Sequence, residues 1–420
     1  MTALAAFAAA AWAYLLLFHG GFWRARETDA AAAAAPAPAE WPTVVAVVPA
    51  RDEAAVIGLS LASLLAQNYP GHFRIVLVDD NSTDATATIA RATPHPCYLR
   101  LHLPLPQGER VSAGQLPPSP LEGEGNAQRS GARERERGRL TILHGTPLPP
   151  NWTGKLHAVA QGIAAAPDAA YLWLTDADIA HAPDTLASLV ARATADTLVL
   201  GSLMARLRTA TLAERAIVPA FVCFFQMLYP FSRVNRPANP IAAAAGGCRL
   251  IRADALARAG GIASIRGALI DDCAMGRLMK RQGPIRLSLT HRSVSLRAYS
   301  WRELWAMIAR SAYAQLGYSP WLLAGAVAAM AAIFFAPPLL ALTAASPARA
   351  LGAVAWAAMA LAFQPMLRFY RLSPLWAVAI PLIAAFYLAA TIASALQHWR
   401  GQGGMWKGRA QATRTARATA

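Results

Sequence analysis

Apolar residues are segregated toward the two ends of this chain, and that distribution limits the possible folds more than any motif does. Residues 3–18, "ALAAFAAAAWAYLLLF", and most of 321–396 are long apolar runs, whereas 41–300 alternates like a water-soluble α/β protein. Of 420 residues 55% are hydrophobic and 15% charged, the latter well below the roughly 25% usual in a soluble domain. The pattern implies a membrane anchor over 1–23, a small-residue linker over 24–40, a domain over 41–320, a membrane region over 321–396 and a basic tail over 397–420. The first run covers about 24 Å as a helix, short for a crossing unless the following "HGGFW" extends it. Arg24 and Arg26 follow it and no basic residue precedes it. By the positive-inside rule the N-terminus is then outside and the domain cytoplasmic, in a multi-pass inner-membrane protein. A cleaved signal peptide would want a basic n-region, which is missing. The runs at 321–345, 351–366 and 375–396 fit two or three crossings. Arg368, Arg371 and the tail from Arg400 cannot all lie inside if all three cross, so the count stays open.

The formal net charge is +16, but the arginines are scattered or sit beside apolar runs. No basic stripe with interleaved aromatics is present, so an anionic membrane surface is the expected partner and nucleic acid is not. The four cysteines, Cys97, Cys223, Cys248 and Cys273, form no CxxC pair or Cys/His cluster, which points to reduced thiols rather than a zinc site or disulfide framework.

Within the central region, "VVAVVPA" (44–50), "FRIVLVDD" (73–80), "LTILHG" (140–145), "YLWLTDAD" (171–178) and "TLVLGSL" (197–203) read as buried strands. Helical stretches separate several of them, at "AAVIGLSLASLLAQ", "DATATIARA" and around 155–165. Such alternation predicts a mostly parallel, Rossmann-like sheet. Residues 102–138 are rich in Pro, Gly, Glu and Arg and too poor in large apolar residues to fold, so they are expected to be a disordered insertion. The apolar stretch 216–231 could be a core helix, a short span or a helix lying on the membrane, the last being favoured.

Four acidic clusters end or follow these elements. Asp176 and Asp178 stand one residue apart at the end of a buried strand, where alternation would aim both side chains the same way. Two such carboxylates stay ionised only beside a cation or hydrogen-bond donors, and Mg²⁺ or Mn²⁺ shared with phosphate oxygens would serve. A helix N-cap pair is the structural alternative. "VVPARDE" (47–53) and "VDDNSTD" (78–84) place Pro49, Arg51, Glu53, Asp79 and Asp80 at strand ends, where ligands of α/β sheets gather; capping explains the second cluster equally well. Asp271 and Asp272, ahead of "CAMGRLMKRQG", could supply a general base or cap a helix.

In this order the motifs resemble the GT-A fold glycosyltransferases of family 2, which use nucleotide diphosphate sugars. "LPPNWTGKLHAVAQGIAAA" (148–166) is similar to a GWxGKxxA segment of membrane-bound members, especially the hopanoid-biosynthesis-associated type, HpnB. "PANPIAAAAGGCRLIRADALARAGG" and "WRELWAMIARSAYAQLGYSP" also resemble that type. The resemblance implies a GT-A domain in which Pro49, Arg51 and Glu53 line a nucleotide pocket and Asp80, with Asp79, meets base or ribose. It further implies Lys155 near the diphosphate, Asp176 and Asp178 as ligands of Mg²⁺ or Mn²⁺, and Asp272 as catalytic base beside Asp271. Gly246 and Gly247 would let the backbone approach a substrate, or permit a tight turn.

The implied reaction is an inverting transfer of one sugar to a membrane lipid acceptor, with a hopanoid as the candidate. The QxxRW segment of processive synthases is absent; Trp305, Arg310 and Gln315 occur in a different arrangement. A polysaccharide or other glycolipid synthase, or a non-catalytic nucleotide-binding scaffold, are the alternatives.

Overall fold

A computed structural model describes residues 1–30, 35–93 and 139–402, together with the backbone of 405–406 and 409–410. The expected insertion at 102–138, Cys97 and most of the basic tail lie outside the described residues.

Eight strands form one mixed sheet in the order β3-β2-β1-β4-β7-β6-β8-β5. They are β1 (Val44–Ala50), β2 (Phe73–Asp79), β3 (Leu140–His144), β4 (Tyr171–Thr175), β5 (Ile179–His181), β6 (Leu200–Arg206), β7 (Cys248–Arg252) and β8 (Ile285–Ser295). The half β3-β2-β1-β4 is parallel, as the strand–helix alternation predicts. Strand β7 then enters antiparallel to both β4 and β6, and β5 pairs antiparallel with β8.

Strand alternation divides the core into two layers. Val44, Ala46 and Val48 of β1, with Ile75 and Leu77 of β2, face α2 (Ile57–Leu65) and α5 (Thr185–Ala195). Val45 and Val47, with Val76 and Val78, face α4 (Gly154–Ala164). Helix α3 (Thr86–Ala92) follows β2. Burying each of these Val, Ile and Leu side chains contributes about 1.5–3 kcal/mol. Helix α4 approaches β1 so closely that a Cβ on Gly162 would lie 2.4 Å from Val47 Cγ1.

Helix α6 (Leu212–Leu228) opens with a Thr211–Glu214 capping box and buries Ala216, Ile217, Val218, Ala220 and Val222. The expectation that 216–231 lies on a membrane surface therefore gives way to a core helix, as its nearly all-round apolar sequence allows. Helix α7 (Asp271–Lys280) and helix α8 (Trp301–Gln315) complete the domain. Part of the segment named as a linker is tied to the sheet: Leu289 N donates to Glu27 O at 2.8 Å, and Arg292 pairs with Asp29 at 3.2 Å.

Among the described residues three helices are long and apolar enough to cross a membrane: α9 (Pro320–Thr343), α10 (Ala348–Phe369) and α11 (Ile380–Trp399). Helix α1 (Thr2–Leu17) is shorter and packs against α9 and α10. Its Ala5 meets Ala336, Leu340, Ala344 and Ala348, and Trp12 Nε1 donates to Ile333 O at 2.7 Å. Ile333 belongs to a π-helical segment, where carbonyls lose their regular partners, so the indole satisfies one of them.

Candidate active site

The turn between β4 and β5 carries Asp176 and Asp178. Ile179 N donates to Asp176 O at 3.2 Å, so residues 176–178 do not continue the strand as simple alternation supposed. Both carboxyl groups nonetheless line one cavity of about 360 Å³, together with Pro49, Glu53, Lys155 and Asp271. The antiparallel entry of β7 supplies the next piece: the register Thr175↔Cys248 lays Gly246 and Gly247 beside the end of β4. A Cβ built on Gly246 would stand 3.7 Å from Asp176 Oδ2, Asp272 Oδ2 and Lys155 Nζ alike. Three charged groups from three elements thus converge on one point. Gly247 differs, because its Cβ would press on Ile179 and Ala205 at 3.2–3.3 Å, a packing demand beneath the site.

Lys155 lies in the first turn of α4, whose Thr153 cap accepts from Leu156 N at 3.4 Å. Its ammonium sits 2.8 Å from Asp176 Oδ1 and 3.5 Å from Asp271 Oδ2. Burial works against its charge, but Asp176 and Asp271 outweigh burial and raise its pKa. Asp178 is pushed up to about 6, by burial first and then by the charge of Asp176.

The adjacent pair at the start of α7 is split by its surroundings. Arg249 of β7, 2% exposed, bonds Asp271 Oδ2 at 3.0 Å. Burial raises the Asp271 carboxyl, but Lys155 and Arg249 prevail and hold it well below the ordinary range. Asp272 is raised, by burial first and by the Asp271 charge second. Its Oδ1 accepts from Cys273 N at 2.7 Å, leaving Oδ2 as the oxygen nearest Gly246. One carboxylate is therefore a fixed ion, and its neighbour is a stronger base.

Not every expected residue joins the cavity. Asp79 and Asp80 are each 2% exposed and lie outside its lining, as do Arg51, Gly246, Gly247 and Asp272, the last standing behind the lining on the Gly246 side. Arg51 Nη1 donates to Asp80 O at 2.6 Å, and Asp79 Oδ1 accepts from Ser82 N at 3.2 Å, so these groups tie the ends of β1 and β2 together. Sequence reasoning missed Arg249 and Arg297. Arg297 donates to both oxygens of Glu53 at 2.7 and 2.9 Å and lies 3.4 Å from Asp178. It is placed there because Leu296 N donates to Asp178 O at 2.8 Å. A basic residue inside the apolar run "CRLI", and another just before the Ser300–Glu303 capping box, were the available signals. Helix α8 forms the remaining wall with Glu303, Ala306, Met307 and Arg310.

Such a cavity, with Lys155, Arg297 and Arg310 around paired carboxylates, can hold a polyanion beside a base. A model of glycosyl transferase family 2 matches residues 45–105. The mannosyltransferase PcManGT from Pyrobaculum calidifontis, solved with GDP-Man and Mn²⁺, is similar in fold over 95% of this chain and 99% of its own, at 20% identity and a TM-score of 0.52. The glucosyl-3-phosphoglycerate synthase of Mycobacterium tuberculosis, in complex with Mn²⁺, UDP and glucosyl-3-phosphoglycerate, is 17% identical over 66% of this chain and 79% of its own, with a TM-score of 0.37. No curated protein sequence matches. A model of glycosyl transferase family 21 matches residues 147–408, a stretch that takes in Lys155, Asp176, Asp178, Arg249, Asp271, Asp272 and Arg297. With the GT-A-like sheet beneath these residues, the chain belongs to glycosyl transferase family 21 and is a glycosyltransferase.

Proposed function

We propose that the protein moves a single sugar from a nucleotide diphosphate sugar to the hydroxyl of a membrane lipid, with inversion, at the cytoplasmic face of the inner membrane. The observation that carries this reading is the convergence of Asp176, Asp272 and Lys155 on Gly246 at 3.7 Å. Asp272 takes the proton of the acceptor hydroxyl. The freed oxygen bonds to the anomeric carbon from one face, while the bond to the diphosphate breaks on the other and its electron pair leaves with the diphosphate. Lys155, flanked by Arg297 and Arg310, stabilises that leaving charge. Pro49 and Glu53 bound the donor side of the cavity, and Asp271, held by Arg249, keeps Lys155 aimed inward.

A divalent cation fits the residues present. Asp176 and Asp178 are hard oxygen donors; burial and then the charge of Asp176 raise Asp178, and Lys155 and Arg297 now balance the pair. Among the described residues no group of three or more His, Cys, Asp or Glu side chains forms a metal cluster; Mg²⁺ or Mn²⁺ is commonly held by one or two carboxylates, with phosphate oxygens and water completing its shell. When bound there, the ion supplies positive charge to the diphosphate.

A lipid acceptor is favoured by the placement of α8, which lines the cavity with Met307 and Ala306 and packs its Trp301 and Trp305 on Phe386 of α11. A hopanoid is one candidate of this class. Incubation of the protein in nanodiscs with a panel of nucleotide sugars and extracted bacterial lipids tests the reading. Inverted product should form with the parent, and transfer should collapse in Asp272→Asn while nucleotide binding persists; undiminished transfer by Asp272→Asn would overturn it.

A further inference from the structure

The middle and the C-terminal end of α11 meet the catalytic domain. At its C-terminal end His398 stacks on Tyr318 at 4.4 Å, and Trp399 contacts Tyr313 at 5.8 Å, immediately before α9 begins. Ser394 Oγ accepts from Tyr313 N at 3.1 Å, and Phe386 packs on Trp305 at 5.3 Å, so α11 runs alongside α8 for much of its length. Midway, Tyr387 OH donates to Ile217 O of α6 at 2.9 Å.

The approach to α11 starts from the same side. Helix α10 ends against the domain, where Phe369 stacks on His291 at 4.3 Å and Arg206 lies over Tyr370 at 6.0 Å. From there the chain turns back along α10: Gln364 Nε2 donates to Pro374 O at 3.1 Å, and Trp356 Nε1 to Val378 O at 3.3 Å. Those two partners lie eight residues apart on α10, a climb of about 12 Å. Helix α11 then descends to Tyr318. By contrast, the far end of the α9–α10 hairpin, around Ala344 and Ala348, packs on Ala5 of α1.

Charge follows the same plan. Residues 372–399 contain no Asp, Glu, Lys or Arg, and Arg371 and Arg400 bracket them. Leu375 and Leu382, each 77% exposed, turn outward on this loop and helix. A full crossing would send Arg371 and Arg400 to opposite faces of the membrane; a re-entrant path keeps both on one face, as the positive-inside rule favours.

We propose that residues 372–399 enter and leave the bilayer on the catalytic domain's side, seated against the acyl chains of one leaflet, so that the C-terminal membrane region crosses only at α9 and α10. This rests on the reading above that α9 and α10 cross a membrane. The tail from Arg400 then shares its compartment with the active site, and the two-or-three ambiguity of the sequence is resolved at two.

Single cysteines placed at the exposed positions Thr194, Ser346 and Gln402 test it, in full-length protein with Cys97 replaced by Ser and the buried native thiols retained as background. Sealed membrane vesicles are treated with a membrane-impermeant maleimide before and after permeabilisation, and Tm checks that each variant folds. Gln402→Cys should label together with Thr194→Cys and oppositely to Ser346→Cys. Labelling of Gln402→Cys together with Ser346→Cys, and opposite to Thr194→Cys, would overturn the re-entrant path. Labelling of Ser346→Cys from the domain's side would instead refute the crossing of α9 and α10, and the inference with it.

Discussion

Replacing Gly246 by Ala separates chemistry from folding in one substitution. Gly246 does not occupy the left-handed backbone region, and an added Cβ would meet its nearest neighbours at 3.7 Å, ordinary contact. The cost in stability should therefore stay within about 0.5 kcal/mol. The methyl group nonetheless stands where Asp272, Asp176 and Lys155 converge, so a reacting atom held there must shift by about 1 Å. Displacement on that scale lowers transfer on the order of 100-fold, or about 2.7 kcal/mol of barrier. Radiolabelled sugar transfer in nanodiscs, with nucleotide binding and thermal unfolding measured on the same preparation, reads all three quantities. Gly276→Ala is the contrasting control, because its Cβ would lie 2.5 Å from the backbone carbon of Ala243, and it should fail by unfolding. A Gly246→Ala enzyme of normal Tm whose kcat/KM stays within about threefold of the parent would refute the placement of the reaction centre.

Four further outcomes follow from the same geometry. Because Asp272 is raised by burial and by Asp271, kcat should fall as pH drops through a value above the ordinary carboxylate range of about 3.9. Asp271→Asn should move that acid limb to lower pH in a pH–rate profile. The same substitution should also flatten the acid side of the stability curve: a depressed carboxyl stabilises the fold above its unfolded pKa, and that gain is lost as pH falls through the folded value. Arg249→Met leaves the Asp271 carboxylate without its 3.0 Å partner and should cost about 3–5 kcal/mol in thermal or denaturant unfolding; adding Asp271→Leu should recover part of it. Chelation with EDTA should abolish transfer, Mn²⁺ or Mg²⁺ should restore it in the parent, and Asp178→Asn should require a higher metal concentration.

The parallel half of the domain was legible because β1, β2 and β4 are buried on both faces and read as continuous apolar runs that stop at charged residues. Reversal of β7 was not, since nothing in "CRLIR" signals direction, and with it went the position of Arg249. Acidic residues at strand ends stood out in the sequence, yet their fates differ. Asp176 and Asp271 reach the cavity, whereas Asp79 and Asp80 are buried in the β1–β2 junction, and only the register of the strands decides between the two. Arg297 went unnoticed for a related reason: its neighbourhood with Glu53 joins residues 244 positions apart. At 216–231 the uniform apolar character was visible, but what covers it comes from α10 and α11, far along the chain.

In the proposed reaction the carboxylates of Asp176 and Asp178 and the ammonium of Lys155 receive the donor's diphosphate with a divalent ion. Anomalous scattering from Mn²⁺ in crystals grown with a nucleotide diphosphate sugar measures this directly. One manganese peak should lie within coordination distance of Asp178 or Asp176 and of a diphosphate oxygen, with the anomeric carbon on the Asp272 side of Gly246. A donor bound in another cavity, or a metal ion remote from both aspartates, would contradict it.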